Sequence, residues 1–290
     1  MSAGQVALVT GASRGAGAGI ARGLGELGYT VYVTGRTVTP GAAKGWDGSV
    51  LPGTVAETAA AVCERGGVGV PVICDHGDDA QVAALFGQIA AEQGRLDLLV
   101  NNATYLHPQL IEQLPFWEKE LAGCEILNVG LRSAYVASWH AARMMVPQGS
   151  GLIAFGSSFG ATCYMHGPGY GAQKAGIDKL AHDMEHDLRG SGVVAVSIWM
   201  CPLVTERALI ARQQHPEQYA GFLESAENPE FTAHILDAID RAPHRDELSG
   251  QTLIGAEIAR ELGVTDRGNA RPSYRDMLGS PRPKNPAAVY

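Results

Sequence analysis

The sequence predicts an α/β fold: a doubly wound parallel sheet of seven strands with helices on both faces. Three observations carry that expectation. Short apolar runs alternate with stretches of helical period along most of the chain, and such alternation implies parallel strands joined by right-handed crossovers. The first run, Val6-Ala-Leu-Val-Thr10, is apolar almost throughout and ends in Gly11, which suits a strand buried on both faces. A glycine-rich stretch, Thr10–Gly17, then leads into the first helical segment.

In chain order, Ile20, Leu24 and Leu27 recur at helical spacing and Gly28 stops that helix. Thr30–Thr34 reads as the second strand. Residues 37–53 are rich in Gly and Pro and read as a loop. Ala56–Arg65 returns to helix and is closed by Gly66-Gly67, and Val70–Cys74 is the third strand. Gln81–Gln93 is helix and Leu96–Val100 the fourth strand. Glu118–Ala142 reads as one long helix. Leu152–Phe155 is the fifth strand, followed by a helix that ends near Arg189. Val193–Trp199 and Gln251–Ile254 complete the sheet. The expected organisation is one Rossmann-type domain over 1–266. Its 202–248 stretch interrupts the alternation, as loops covering the ligand crevice of such sheets do. Residues 267–290, with Pro272, Pro281, Pro283 and Pro286, read as an irregular arm.

Composition narrows the function. The 290 residues carry 22 Lys and Arg against 30 Asp and Glu, a net charge of −8, and no basic stripe of the kind that binds nucleic acid. No apolar run reaches the ~18 residues that span a bilayer. The N-terminus leads straight into a strand pattern without a charged region and apolar core, so no signal peptide is expected. Five scattered Cys with no C-x-x-C suggest reduced thiols and a cytoplasmic protein. His76, His107 and His166 show no metal-binding spacing.

The stretch Thr10-Gly11-Ala12-Ser13-Arg14-Gly15-Ala16-Gly17 falls between strand and helix. Glycines there let the backbone approach a pyrophosphate, which the free N–H groups of the helix N-terminus then bind. A plain tight turn with close helix–strand packing would use the same residues. The second strand ends Thr34-Gly35-Arg36. An acidic residue there would bond the ribose 2′-hydroxyl of NAD; Arg36 can instead pair with a 2′-phosphate, helped by Arg14. This favours NADP, with NAD as the other candidate.

Tyr170-Gly-Ala-Gln-Lys174 places a phenol and an ammonium one helical turn apart on one face. An ammonium at that spacing favours phenolate and is expected to lower the tyrosine pKa. Such a pair suits proton exchange with an alcohol/carbonyl couple.

With Thr10–Gly17, Asn101-Asn102-Ala103, Ser157-Ser158 and Tyr170-x-x-x-Lys174 in this order, the sequence resembles the short-chain dehydrogenase/reductase family over about residues 5–265. Asn128–Arg132 and Leu253–Leu262 look closest to a branch with mammalian members. The resemblance implies an NADP(H)-dependent enzyme that interconverts a carbonyl and an alcohol. Tyr170 would be the acid/base, Lys174 its partner and a holder of the nicotinamide ribose, Ser158 the group orienting the substrate oxygen, and Asn128 the holder of a relay water. Asp75 would contact the adenine, Asn101 would line the cofactor cleft, and Thr205 would sit near the nicotinamide amide. Ser157 lies at the more usual distance from Tyr170, but Ser158 matches by its place at the strand end and is favoured. Thr104 stands where a glycine is usual, and Pro202-Leu203 replaces Pro-Gly. The implied partners are a small carbonyl or alcohol substrate and further copies of the chain, as a homodimer or homotetramer. A nucleotide-binding sensor on the same fold would keep the glycine turn but has no need of the four catalytic candidates together.

Overall fold

The computed structural model describes residues 4–45, 47–217, 219, 221–285 and 287–289. Residues 1–3, and Pro286 and Tyr290 of the arm, lie outside the described residues. The strands are β1 (Val6–Val9), β2 (Thr30–Gly35), β3 (Val68–Ile73), β4 (Leu98–Asn101), β5 (Gly151–Ser157), β6 (Val193–Trp199) and β7 (Thr252–Ile254). They form one seven-stranded sheet in the order β3-β2-β1-β4-β5-β6-β7. Every pair in it is parallel. The order reverses between β1 and β4, the switch point at which such sheets hold ligands beyond their strand ends.

The helices are α1 (Gly15–Glu26), α2 (Val55–Glu64), α3 (Asp79–Gln93), α4 (Ser133–Gln148), α5 (Pro168–Leu188), α6 (Glu206–Gln214), α7 (Phe231–Arg241) and α8 (Gly255–Glu261), with shorter turns between them. One face of the sheet buries Ile20, Leu24, Val62, Ile235 and Ile239. The other buries Phe86, Ile89, Ala137, Ala141, Ile177 and Ala181. β1 and β4 are buried at every position, as their apolar runs, broken only by Asn101 at the end of β4, require. The edge strand β3 is fully buried at no position and tolerates Pro71.

Glycines in α1 serve packing. A Cβ on Gly19 would lie 2.0 Å from Pro229 Cβ, and one on Gly23 2.7 Å from Ala233 Cβ. α1 and the segment leading into α7 therefore meet backbone to backbone. Gly19→Val should overpack this contact and cost about 1–3 kcal/mol. A drop of several degrees in melting temperature would register it; an unchanged midpoint would count against the contact.

Three expectations need revising. The helix expected over Glu118–Ala142 is broken. A 3₁₀ turn spans Leu121–Cys124, Val129 and Gly130 leave helical geometry with Gly130 at φ +152, and α4 starts only at Ser133. The break is held by tertiary bonds: Tyr105 N–H donates to Val129 O at 2.7 Å and Gln173 Nε2 to Gly130 O at 3.2 Å. Residues 37–53 contain a small antiparallel pairing of Ala43–Lys44 with Val50–Leu51. The 202–248 stretch divides: α6 borders the crevice, whereas the strongly amphipathic α7 is core. The arm packs on its own chain. Arg275 pairs with Glu257 and Arg271 with Asp266, while Tyr274 and Leu278 pack against the cluster of Phe159 and Trp199.

Candidate active site

The carboxyl ends of β1, β4, β5 and β6 open onto a cavity of about 660 Å³, within the ~300–1,000 Å³ usual for ligand sites. Its lining contains Gly11, Ser13, Arg14, Gly15, Ala16, Gly17, Arg36, Asp75, Ser158, Tyr170, Lys174 and Thr205. These sequence-expected residues are thus brought together. Asn101 and Asn128 are not.

The glycine turn is built by the residues after β4. Thr10 Oγ1 accepts from Asn102 N–H at 3.0 Å and Ala103 N–H at 2.9 Å, while Asn102 Nδ2 donates to Thr10 O at 2.9 Å and Gly11 O at 3.1 Å. Gly11 and Gly15 have φ of +66 and +58, a conformation natural to glycine. A Cβ on Gly17 would stand 2.4 Å from Asn102 Nδ2. Asn102, rather than Asn101, is therefore the side chain that shapes the cleft. Asn101 lies beneath it, buried, donating to Ser138 Oγ at 2.9 Å. Strand alternation sends one Asn inward and the next toward the crevice. Thr104 keeps an ordinary negative φ, so this turn does not require a glycine there.

At the β2 end, Arg36 pairs loosely with Asp75 at 3.6 Å, both well exposed. Between them and the core lies His76, 2.8 Å from Thr34 Oγ1 and pushed down to about 4 by burial, hence neutral. Arg14 is drawn elsewhere, donating to Pro52 O at 3.1 Å and Gly53 O at 2.7 Å. Thr205 caps α6, its hydroxyl accepting from Ala208 N–H at 3.3 Å.

At the other end, Ser158 Oγ and Tyr170 OH are 2.9 Å apart. Ser157 is buried and its Oγ reaches Lys174 O at 3.5 Å, whereas it is the Ser158 hydroxyl that meets the phenol. Lys174 Nζ donates to Gly156 O at 2.9 Å and stands 5.4 Å from the Tyr170 ring centroid. The electrostatics differ from the sequence expectation. Burial pushes the Tyr170 phenol up, the Ser158 bond pulling against it. Burial also draws Lys174 down to about 8, opposed by Asp178. Burial is the first cause of both shifts, and a phenol raised above its ordinary value keeps its proton at neutral pH. Asp178, which pattern reading missed, accepts from Ser197 Oγ at 2.6 Å and Trp199 Nε1 at 2.9 Å, and so faces the lysine from a fixed position.

Asn128 is exposed, and its Nδ2 donates to Glu125 Oε2 at 2.9 Å. The break at Val129 and Gly130 turns it away; Val129 lines the cavity instead. Trp199 is core, whereas Met165 and His166 line the cavity. A second cavity of about 180 Å³, walled by Leu110, Leu114, Phe116, Ile126 and Tyr164, shares Tyr105, His166 and Tyr170 with the first.

A glycine turn at the switch point of a parallel doubly wound sheet, with a Ser–Tyr–Lys cluster across one crevice, defines an NAD(P)-dependent oxidoreductase. The model of the short chain dehydrogenase family matches residues 5–217, and the chain belongs to that family. It is 40% identical over 275 residues to dehydrogenase/reductase SDR family member 1 of Mus musculus, covering 91% of this chain and 83% of that protein. The Homo sapiens counterpart is 39% identical with the same coverage. Among solved structures, one described as a dehydrogenase from Xanthomonas campestris superposes with TM-score 0.76 at 22% identity, covering 93% of this chain and 94% of that one. One described as an NAD(P)-dependent gluconate 5-dehydrogenase from Beutenbergia cavernae, with NADP bound at low occupancy, gives 0.71 at 26%, covering 89% and 98%.

Proposed function

We propose that the protein is an NADP(H)-dependent carbonyl reductase or alcohol dehydrogenase in which Tyr170 exchanges the proton. The contact of Ser158 Oγ with Tyr170 OH at 2.9 Å carries this reading. The glycine turn fits a dinucleotide: Gly11, Gly15 and Gly17 leave a cradle, and the α1 N-terminus offers donors to a pyrophosphate. When bound, the nicotinamide supplies the hydride. The residues do the rest. Ser158 bonds the substrate oxygen. Tyr170, held protonated, gives its proton to that oxygen. Lys174 steadies the phenolate left behind. A sensor would need no such set at the crevice mouth. The second cavity adjoins Tyr170 and would take an apolar part of the substrate. A panel of aliphatic and aromatic carbonyls with NADPH, followed by absorbance loss, tests the reading; no oxidation with any carbonyl would defeat it.

Arg36 supports a preference for NADPH. A charge-assisted contact to the 2′-phosphate is worth roughly 1.5–3 kcal/mol, about ten- to hundredfold. Asp75 at 3.6 Å from Arg36 competes for that guanidinium, so the lower end is expected. Fluorescence titration should show about tenfold tighter NADPH than NADH, and Arg36→Ala should abolish the difference.

For assembly we read a homo-oligomer. On α4, Tyr135 and Trp139 are 51% and 48% exposed. Ser138 and Leu131 of the same region turn inward to Asn101 and Gly176. Light scattering should report a dimer or larger, and Trp139→Glu should shift it toward monomer. A cytoplasmic location fits five free cysteines, and among the described residues no helix is long and apolar enough to cross a membrane.

A further inference from the structure

The first helical residue of α1 already holds an anion from its own chain. Gly15 N–H donates to Glu206 Oε2 at 3.0 Å, across 191 residues of sequence. This N–H belongs to the free set that a helix N-terminus offers to phosphate. Glu206 is delivered by its own helix: it opens α6, whose start Thr205 caps. A Cβ on Gly15 would lie 4.0 Å from both Glu206 Oε2 and Thr205 Cγ2, so α6 closes directly over the turn. The carboxylate also acts on two guanidinium groups. Burial draws Arg14 and Arg207 below the ordinary arginine value, and Glu206 opposes that in both. Gly15, Arg14, Glu206 and Arg207 all line the same cavity. A backbone donor bonded to one carboxylate, with two arginines lining the same cavity, makes an anion seat filled by an internal anion.

We propose that Glu206 competes with the cofactor pyrophosphate for the α1 N-terminus and thereby sets cofactor affinity and anion selectivity; this rests on the nucleotide reading above. A pyrophosphate reaching Gly15 N–H meets a like charge, so the carboxylate must swing out, carrying the start of α6. Its departure opens Gly15 N–H and turns Arg14 and Arg207 toward the phosphates. The motion has a fixed point: Val204 N–H donates to Glu227 O at 2.9 Å, just before α6. A diphosphate carries more charge than the carboxylate and displaces it, whereas a monoanion gains little by the exchange.

The test is NADPH titration by nicotinamide fluorescence with the wild type, Glu206→Gln and Glu206→Ala, each checked for folding by thermal melting. Gln keeps the size and an acceptor for Gly15 N–H but not the charge. A charge-assisted hydrogen bond is roughly twice as strong as a neutral one, so both variants should bind NADPH about tenfold tighter. In stopped flow the wild-type association rate should level off as NADPH rises, limited by departure of Glu206, while the variants stay linear. Equal or weaker binding by both variants overturns the role of Glu206. If both variants melt below the assay temperature, levelling of the wild-type rate decides alone, and its absence overturns the proposal. A wild type that binds neither NADPH nor NADH overturns this role together with the nucleotide reading. A wild type that binds NADPH with unchanged variants overturns the role of Glu206 only.

Discussion

Tyr170→Phe is expected to lower carbonyl turnover by about 10²–10⁴-fold while NADPH affinity stays near wild type. The size is that of general acid catalysis. The substitution keeps the ring and removes only the hydroxyl that faces Ser158 at 2.9 Å. Because burial holds the phenol protonated, the wild type has its proton in place at neutral pH and spends no step acquiring it. The loss should fall on turnover rather than on KM, since the proton is given only as charge develops on the substrate oxygen. Ser158→Ala should show a smaller loss of the same kind. Single-turnover measurement of NADPH oxidation separates chemistry from product release. A Phe variant within threefold of wild type would remove Tyr170 as the acid.

What could be read from the chain without a structure follows the range of each interaction. The strands were legible because strands buried on both faces need nearly continuous apolar runs, as in Val6–Val9 and Val193–Trp199, where Ser197 is the one polar residue. Tyr170 and Lys174 were legible because one helix carries both, and the turn spacing alone puts them on one face. Ser158 is preferred over Ser157 for its place at the strand end, and the geometry puts its Oγ 2.9 Å from Tyr170 OH. Asn128 lies outside the cavity for a non-local reason. Whether helix continues through Gly130 depends on Tyr105 and Gln173, which satisfy the opened carbonyls from other elements. The same holds for Asn101 and Asn102, whose order of exposure is set by where β4 leaves the sheet. Glu206 carried no pattern at all: its partner is 191 residues away. The upward direction of the Tyr170 shift was not legible because a sequence displays the nearby ammonium but not the burial that is the first cause of the shift.

The second large effect separates function from stability at one residue. Lys174→Met should lower turnover by 10²-fold or more, weaken NADPH binding, and yet raise the melting temperature. Lys174 is 7% exposed, with Nζ on Gly156 O at 2.9 Å. Its pKa falls from 10.5 unfolded to about 8 folded, with burial the first cause. The folded state thus binds the proton less well than the unfolded one, so below pH 8 the buried charge costs stability. A shift of that size corresponds to at most roughly 3 kcal/mol. As pH rises from about 8 to 10.5 the folded lysine is neutral while the unfolded one still holds its proton, and the wild type recovers that cost. The stability advantage of Lys174→Met should therefore be largest below pH 8 and shrink toward pH 10.5. Activity runs the other way. The ammonium proposed to steady the Tyr170 phenolate exists mainly below about pH 8, so wild-type reduction should decline as pH rises through that value. The residual activity of Lys174→Met should lack the step. Urea denaturation at pH 7 and pH 9.5, beside a pH–rate profile for both proteins, measures all of this. A Met variant less stable than wild type at pH 7, or one that keeps the alkaline decline, would show that Lys174 is not the buried charge driving both profiles.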